Sequence, residues 1–294
     1  MDGRSSIPSS GFVVRAVIDG NAVLLGDPLS AELVDAIAAR GPLVELWAYW
    51  RTEVGNIALL RGFPELQRLH IINRTQDNLG GLSELKGLRT LTIESDKVFH
   101  VDMSFWPELE ELVFTWSGRF QNLDKATKLA VLRVWSWKEK DLARASSMPQ
   151  LRVLELVRGR IRSLRGIEGC RELEKLSLSY LSKLADFDAL GDLRSLRVLN
   201  IDTCRGLASL DCLAALPRLQ SLSLDNLGNI PSLAPLSSSR LRRLSFSGTT
   251  NIEDGDTDIV NRIPVVDYAF RNRKHYNYNY NHRKTRAERE RERA

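Results

Sequence analysis

The sequence has little cysteine and histidine, and it contains no long apolar run. Of its 294 residues, 3 are cysteine and 4 are histidine. The cysteines (170, 204 and 212) are odd in number and lack CxxC spacing, which excludes a small disulfide scaffold and favours a reduced chain. No run approaches the roughly 18 apolar residues of a membrane helix, and the N-terminus lacks the basic-then-apolar pattern of a secretory signal. We therefore expect a cytoplasmic protein with no transmembrane segment.

Motifs of catalysis and cofactor binding are also absent from the sequence. It contains no Walker loop and no GxGxxG, GxSxG or HExxH segment. No histidine has the spacing to a cysteine that a zinc site requires. Acidic residues are spread through the chain as surface charge. We therefore expect a protein that is not an enzyme and that holds neither a cofactor nor a metal ion.

Positive charge is concentrated at the C-terminal end. The formal net charge is +5 and the sequence pI about 9.2. Residues 271–294 hold nine Lys or Arg and three Glu, so they carry +6 and the preceding residues carry −1. The hydrophobic share of 43% and the charged share of 27% are those of a folded chain and exclude a disordered one. We therefore expect a nearly neutral folded body with a flexible basic tail.

An internal repeat with a mean period of about 22 residues is the strongest signal in the sequence. The pattern LxxLxL, with Ile, Val, Ala or Phe standing in at some positions, occurs ten times at intervals of 20 to 23 residues. The first residues of the ten matches are Leu43, Leu66, Leu88, Leu109, Leu129, Leu151, Leu173, Leu196, Leu219 and Leu241. The fourth and sixth positions point to one face of a short strand, so neighbouring repeats must stack to bury them.

Over residues 43–250 the chain resembles the leucine-rich repeat family, in its compact bacterial type. The resemblance implies an α/β fold: a right-handed solenoid with a parallel concave β-sheet and short 3₁₀ or irregular segments on the convex side. Apolar residues three apart, as at Leu207, Leu210 and Leu213, suit such 3₁₀ segments. The chain departs from the family at the ninth repeat position, where Asn or Cys is usual. Only Cys204 matches there, and we expect it to be a buried structural residue.

The two ends of the solenoid need caps, because terminal repeats would otherwise expose core and strand edges. Residues 1–42 are predicted to form an N-terminal cap. Within it, residues 12–25 make a hairpin around a turn at residues 19–21, and a helix capped by Ser30 runs to about Arg40. We predict a C-terminal cap at 251–275 and a basic tail at 276–294.

The concave face is the predicted binding surface. The third, fifth, seventh and often the eighth residue of each repeat should face it, and tryptophan at such positions is costly unless a partner covers it. Some of these rings could instead cover the core edge, and Trp106 is expected in the core. The predicted partner-binding residues are Trp47, Tyr49, Trp50, Arg68, His70, Ile72, Glu94, Thr115, Trp116, Arg133, Trp135, Trp137, Glu155 and Arg158.

The sequence thus predicts a non-enzymatic, monomeric module that binds a protein partner. A bacterial immunity or antitoxin-type neutraliser of a toxin or effector, or an adaptor, is the specific hypothesis, and the excess of Arg over Lys is associated with GC-rich bacterial genes. The alternative is a nucleic-acid-associated protein that acts through the tail. There, Tyr276, Tyr278 and Tyr280 lie between Lys274 and Arg283 and could stack on bases.

Overall fold

A computed structural model gives the fold of residues 5–6, 16–26, 28–49, 54–72, 79–95 and 98–268. Its strands, in chain order, are β1 (Ser5–Ser6), β2 (Ala16–Asp19), β3 (Ala22–Leu25), β4 (Glu45–Tyr49), β5 (Arg68–Ile72), β6 (Thr90–Glu94), β7 (Val101–Asp102), β8 (Glu111–Thr115), β9 (Phe120–Gln121), β10 (Val131–Trp137), β11 (Val153–Gly159), β12 (Lys175–Ser179), β13 (Val198–Asp202), β14 (Ser221–Asp225), β15 (Asn229–Ile230), β16 (Arg243–Ser247), β17 (Asn251–Ile252) and β18 (Val265–Tyr268).

One sheet of 14 strands runs through the described part of the chain. Its order is β1-β2-β3-β4-β5-β6-β8-β10-β11-β12-β13-β14-β16-β18, so sequence neighbours are also neighbours in space. From β3 onward every pairing is parallel, and each strand of a repeat pairs in register with the equivalent positions of the next. The remaining strands form two small parallel pairs, β7 with β9 and β15 with β17. This is the open, stacked sheet of a solenoid.

Short 3₁₀ helices return the chain from each strand to the next. They span Ile57–Gly62, Gly80–Glu84, Met103–Phe105, Leu123–Lys125, Ala143–Ser147, Ile167–Gly169, Asp188–Asp192, Asp211–Leu213, Ala234–Leu236 and Asp258–Arg262. Each places at least one apolar residue in the core, and Leu207, Leu210 and Leu213 are all at most 2% exposed. The predicted fold class is confirmed, including its 3₁₀ convex side.

The hairpin and helix predicted at the N-terminal end are present, the hairpin over residues 16–25; residues 12–15 of the predicted hairpin lie outside the described residues. Strands β2 and β3 pair antiparallel around the turn, and β3 continues into the parallel sheet beside β4. Helix α1 (Ala31–Ala38) is the only α-helix in the described ranges, and its first turn is capped by the Ser30 hydroxyl, which accepts from the Leu33 N–H at 3.2 Å. Leu33 and Ile37 bury its inner face, 1% and 2% exposed. None of the helices described here is long and apolar enough to cross a membrane.

At the C-terminal end, β18 adds a strand beyond the tenth repeat. Residues 269–294, which include the predicted basic tail, lie outside the described residues. The boundaries proposed for the two caps and the tail therefore stay predictions.

Cys204 is buried at the ninth repeat position, as expected. Its side chain is 0% exposed, and its Sγ donates to the Asp202 carbonyl at 3.4 Å and lies 3.6 Å from the Leu178 carbonyl. Burial raises the pKa of this thiol to about 11, so it stays protonated and able to donate. At the same position Leu181 and Leu227 are 0% and 2% exposed, so apolar packing stands where the family usually has Asn or Cys.

Two glycines offer a test of how tightly successive turns stack. Both have positive φ, +101° at Gly166 and +82° at Gly228, but a Cβ on Gly166 would lie 2.3 Å from Ala143 backbone atoms, whereas one on Gly228 meets nothing within 4 Å. We expect Gly228→Ala to cost about 1–2 kcal/mol of unfolding free energy, from left-handed strain alone. Gly166→Ala should cost about 2–5 kcal/mol, because overpacking adds to the strain. Urea denaturation of both variants measures this, and equal losses would contradict tight stacking at Ala143.

Candidate partner-binding face

The two faces of the sheet differ sharply in burial. The inward residues at repeat positions four and six, such as Leu132 and Val134, are 0% exposed. The outward residues form rows across the strands because all the pairings are in register. The central outward row is Leu24, Trp47, His70, Thr92, Val113, Arg133, Glu155, Ser177, Asn200, Ser223 and Ser245.

At the N-terminal end of this face, Trp47 and His70 form a stacked pair. Their ring centroids are 3.6 Å apart and the planes differ by 10°. Trp47 Nε1 donates to Glu45 Oε1 at 2.7 Å, and Arg68 Nε donates to Glu45 Oε2 at 2.8 Å. One carboxylate therefore holds a tryptophan and an arginine of neighbouring strands in fixed positions.

Leu24 adds an apolar side chain next to Trp47, on the neighbouring strand β3. It is 40% exposed and lies in register with Trp47. The repeat motif could not reveal it, because Leu24 belongs to the hairpin that precedes the first repeat. The sequence carries no signal for it, because residues 22–25 (AVLL) are all apolar; the outward position of Leu24 follows only from the parallel pairing of β3 with β4.

His70 lies in the predicted row but is largely covered. It is 8% exposed, and its Nδ1 lies 3.0 Å from Thr92 Oγ1. Burial lowers the pKa of the imidazole, and the Glu45 and Glu111 carboxylates only partly offset this effect. His70 therefore acts as the neutral support of the Trp47 ring rather than as a freely exposed contact.

A chain of ion pairs crosses the centre of the face. Arg133 donates from Nη1 to Glu111 Oε1 and from Nε to Glu155 Oε2, the second bond at 3.0 Å. Lys175 Nζ donates to the other oxygen of Glu155. The four half-buried groups carry two positive and two negative charges, so this part of the face is neutral as a whole and has a fixed charge pattern.

Trp135 lies beside these ion pairs, in register with Thr115 and Val157, and is half-buried. Arg158 comes directly after Val157 in β11 and is exposed. Its guanidinium lies 6.0 Å from the centre of the Tyr180 ring. Tyr180 is itself 51% exposed. Ile72 and Glu94, paired in register on β5 and β6, are half-buried.

The later repeats present a different surface of small polar groups. Asp202 and Asp225 lie in register on adjacent strands. Asp202 accepts from Thr203 Oγ1 at 2.8 Å and from Asn226 Nδ2 at 3.1 Å, whereas Asp225 accepts from the Ser223 and Ser247 hydroxyls, each at 2.5 Å. The described residues contain no group of three or more His, Cys, Asp or Glu that could hold a metal ion.

The exposure predicted for Trp116 and Trp137 is wrong. They are 4% and 0% exposed and pack edge to face with centroids 5.0 Å apart. Trp116 Nε1 donates to the Gly118 carbonyl at 3.0 Å, and Trp137 Nε1 donates to the Asp141 carbonyl at 3.1 Å. Phe120 completes the cluster at 5.3 Å from Trp116. Both rings belong to the core, as does Trp106, which is 1% exposed as expected.

The conformation of the eighth repeat position explains both errors. In repeats five to ten this residue is left-handed, with φ of 65° at Ser136, 59° at Arg158, 57° at Tyr180, 54° at Thr203, 56° at Asn226 and 64° at Gly248. The left-handed residue breaks the strand alternation and turns the ninth residue, here Trp137, inward. Trp116 is at position eight of repeat four and has negative φ, so ordinary alternation after outward Thr115 turns it inward.

Trp50 and the side chain of Tyr49 lie outside the described residues; the Tyr49 backbone pairs in register with Ile72. The binding role predicted for the outward residues is itself untested by the geometry and remains a prediction.

Comparison with known proteins identifies the fold. No protein-family model matches the chain, and no curated protein matches it. Among solved structures, an internalin (InlF) of Listeria monocytogenes is similar over 85% of this chain and 87% of its own, with 16% identity and a TM-score of 0.58. The chain has the leucine-rich repeat fold.

Two further leucine-rich repeat structures show the same likeness. Internalin C2 of Listeria monocytogenes is 19% identical, over 64% of this chain and 83% of its own, with a TM-score of 0.52. The ectodomain of the Arabidopsis thaliana receptor kinase GASSHO1/SCHENGEN3 is 16% identical over 82% of this chain, with a TM-score of 0.55. The present chain spans only 31% of the length of that plant ectodomain.

The two tryptophans of β10 provide a matched test of the inward turn. Trp137→Ala should lower the free energy of unfolding by about 3–5 kcal/mol, because it empties a fully packed site. Trp135→Ala, two residues earlier, should cost about 1 kcal/mol, since its outward ring is only partly removed from water. Equilibrium unfolding in urea measures both values. A larger loss for Trp135 than for Trp137 would overturn the assignment of the two rings.

His70 predicts a specific dependence of stability on pH. Because its pKa is lower in the folded than in the unfolded chain, the unfolded state binds more protons once the pH falls below the ordinary histidine value of 6.5. Stability should therefore fall as the pH drops from 7 to below 6.5. It should level off once the pH lies below the pKa of His70 in the folded chain. His70→Phe keeps an aromatic ring against Trp47 and removes this titration. Urea unfolding from about pH 7.5 to 5.5 should show a smaller decline for this variant, and parallel curves would contradict the assignment.

Proposed function

We propose that the protein is a non-enzymatic module that binds a protein partner on its concave face, through the surface formed by Leu24, Trp47, Arg133 and Trp135. The observation that carries the proposal is the partly exposed apolar and aromatic surface on an otherwise polar sheet. Tryptophan and arginine are the side chains that most often dominate binding energy at protein interfaces. Strands lie about 4.8 Å apart, so the four steps from Trp47 to Trp135 place these two rings about 19 Å apart along the sheet. That distance suits a protein surface better than a small molecule.

The rigidity of the face supports the same proposal. Glu45 fixes Trp47 and Arg68, and Arg133 is held by two carboxylates. Side chains held in place before binding lose less conformational entropy when a partner arrives. Fixed positive and negative groups beside the rings also favour one partner orientation over others.

The solved neighbours add a functional analogy. The plant receptor ectodomain was solved in complex with CASPARIAN STRIP INTEGRITY FACTOR 2. We extend the idea of a bound protein partner to this chain as part of the proposal, since fold likeness by itself does not transfer a function.

The finer hypothesis is a cytoplasmic, monomeric bacterial neutraliser of a toxin or effector, or an adaptor. It rests on the sequence alone and requires a partner to be identified. Nucleic-acid binding by the tail concerns residues outside the described ranges, and the surface described above adds no support to it. Both stay predictions.

The test compares capture of proteins by three forms of the full-length chain. Tagged wild type, a Trp47→Ala/Trp135→Ala variant and a control Val98→Ala variant are incubated with lysate of the source organism, and bound proteins are quantified by mass spectrometry. Val98 is 67% exposed and lies outside the described strands, so its loss should not affect the face. A partner identified by wild type and control is then purified and titrated by calorimetry.

We expect the double variant to bind the purified partner at least about tenfold more weakly, equivalent to about 1.4 kcal/mol. Val98→Ala should bind as wild type does. Thermal unfolding of each variant checks that the fold is intact. Undiminished affinity of a well-folded double variant would show that the aromatic surface is not the binding site.

A further inference from the structure

Five cationic side chains surround one cavity on the flank of the solenoid. Lys138 and Lys140 follow β10, Arg160 and Arg162 follow β11, and Lys183 follows β12. These five residues line a cavity of about 340 Å³, and all five are exposed. This volume lies at the lower end of the range for small-ligand sites. In the sequence, positive charge stands out only in the tail, and this site leaves no local signal because its members are spread over three repeats.

Stacking of successive repeats brings these side chains together. Beyond the strands, the Arg160 N–H donates to the Trp137 carbonyl at 2.8 Å, and the Arg162 N–H donates to the Lys140 carbonyl at 2.7 Å. In the next turn the Ala185 N–H donates to the Arg162 carbonyl at 3.0 Å. Ile161 is 0% exposed between two exposed arginines, so the alternation that buries Ile161 also directs Arg160 and Arg162 outward. The backbone positions of these cationic residues are thus set by the packing of the core.

The cavity carries uncompensated positive charge. Among the residues that the structure describes, no acid lines it, and the nearest acids in sequence pair elsewhere: Glu139 with Arg144 at 3.1 Å and Asp141 with Arg165 at 3.6 Å. Within the described ranges, Lys140, Arg160, Arg162 and Lys183 form no ion pair. Residues 1–270 carry a net charge of −1, so this cluster is a local concentration of positive charge on a body that is not basic as a whole. Like charges this close repel unless an anion lies between them.

We infer that this basic cavity binds a compact ligand that carries several linked phosphate groups. A terminal phosphate group carries about −1.5 to −2 charges at neutral pH, each internal group of a chain keeps one ionised oxygen, and linked phosphates place these charges a few ångströms apart. Carboxylates on one side of an extended peptide recur only about every 6.8 Å, twice the rise per residue. Three repeats span about 10 Å of the flank, so the density of five cations there matches linked phosphates better than an acidic peptide. Arginine forks and lysine ammonium groups are both common ligands of phosphate oxygens.

The site does not depend on the proposed concave interface. None of its five lining residues belongs to the outward rows of the sheet, so substitutions in the two places can succeed or fail separately. The basic tail would add nonspecific attraction for anions, but that contribution is the same in every variant of the full-length chain.

The experiment is isothermal titration of the full-length protein with inorganic tripolyphosphate at low ionic strength. The test variant is Arg160→Ala/Arg162→Ala. Its matched control is Arg205→Ala/Arg218→Ala, which also removes two exposed arginines but none of those that line the cavity. We expect the test variant to lose at least about tenfold in affinity, because two charge-assisted contacts are removed. The control should match wild type, and thermal unfolding should be unchanged in both.

Equal affinity of the test variant and the control would overturn the proposal, as would the absence of tripolyphosphate binding to wild type. A hexaglutamate peptide, titrated at the same ionic strength, tests the alternative occupant. Tighter binding of this peptide than of tripolyphosphate, lost in the Arg160→Ala/Arg162→Ala variant, would also overturn it. Titration with adenosine triphosphate separates two sources of linked phosphates. Tighter binding than that of tripolyphosphate would identify the ligand as a nucleotide, and no gain in affinity would identify it as a phosphate chain alone.

Discussion

Contact between the leucine rows of neighbouring repeats is the interaction on which the rest of the structure depends. Leu132, Leu154 and Leu176 lie side by side in register on three strands, and each is 0% exposed. A single repeat of about 22 residues has no second layer of its own, so its apolar residues are buried only by the repeats before and after it. The parallel register, the 3₁₀ returns and the need for a hairpin and helix at the first repeat all follow from that requirement.

The same constraint decides which side chains can meet a partner. Inward positions are fully used by the core, so only the alternate positions of each strand are free to carry function. Near the end of each strand this rule depends on a single backbone angle. A left-handed residue at the eighth position, such as Ser136, directs the ninth residue into the core, and Trp137 consequently stabilises the fold where Trp135 faces outward.

Electrostatic interactions on this solenoid are local, and their arrangement differs between surfaces. On the concave face, Arg133 and Lys175 are neutralised by Glu111 and Glu155 within the same cluster, so the face presents an ordered pattern without net charge. On the flank, three successive repeats bring cations together, and none of the described residues that line the cavity is acidic. Both the neutral cluster and the cationic cluster arise because stacking places side chains that are 22 or 23 residues apart in sequence next to one another.

The repeat, its period and the strand positions could be predicted from the sequence, because neighbouring LxxLxL segments bury their leucines when they stack. The hairpin, the Ser30-capped helix and the outward positions of Trp47 and Arg133 also follow from sequence, through turn chemistry and strand alternation. The burial of Trp116 and Trp137 could not be predicted, since it depends on the φ angle of one residue at the strand end. Likewise, the exposure of Leu24 beside Trp47 and the gathering of Lys138, Arg160 and Lys183 arise from contacts between turns. Such contacts join residues distant in sequence, and no local pattern specifies them.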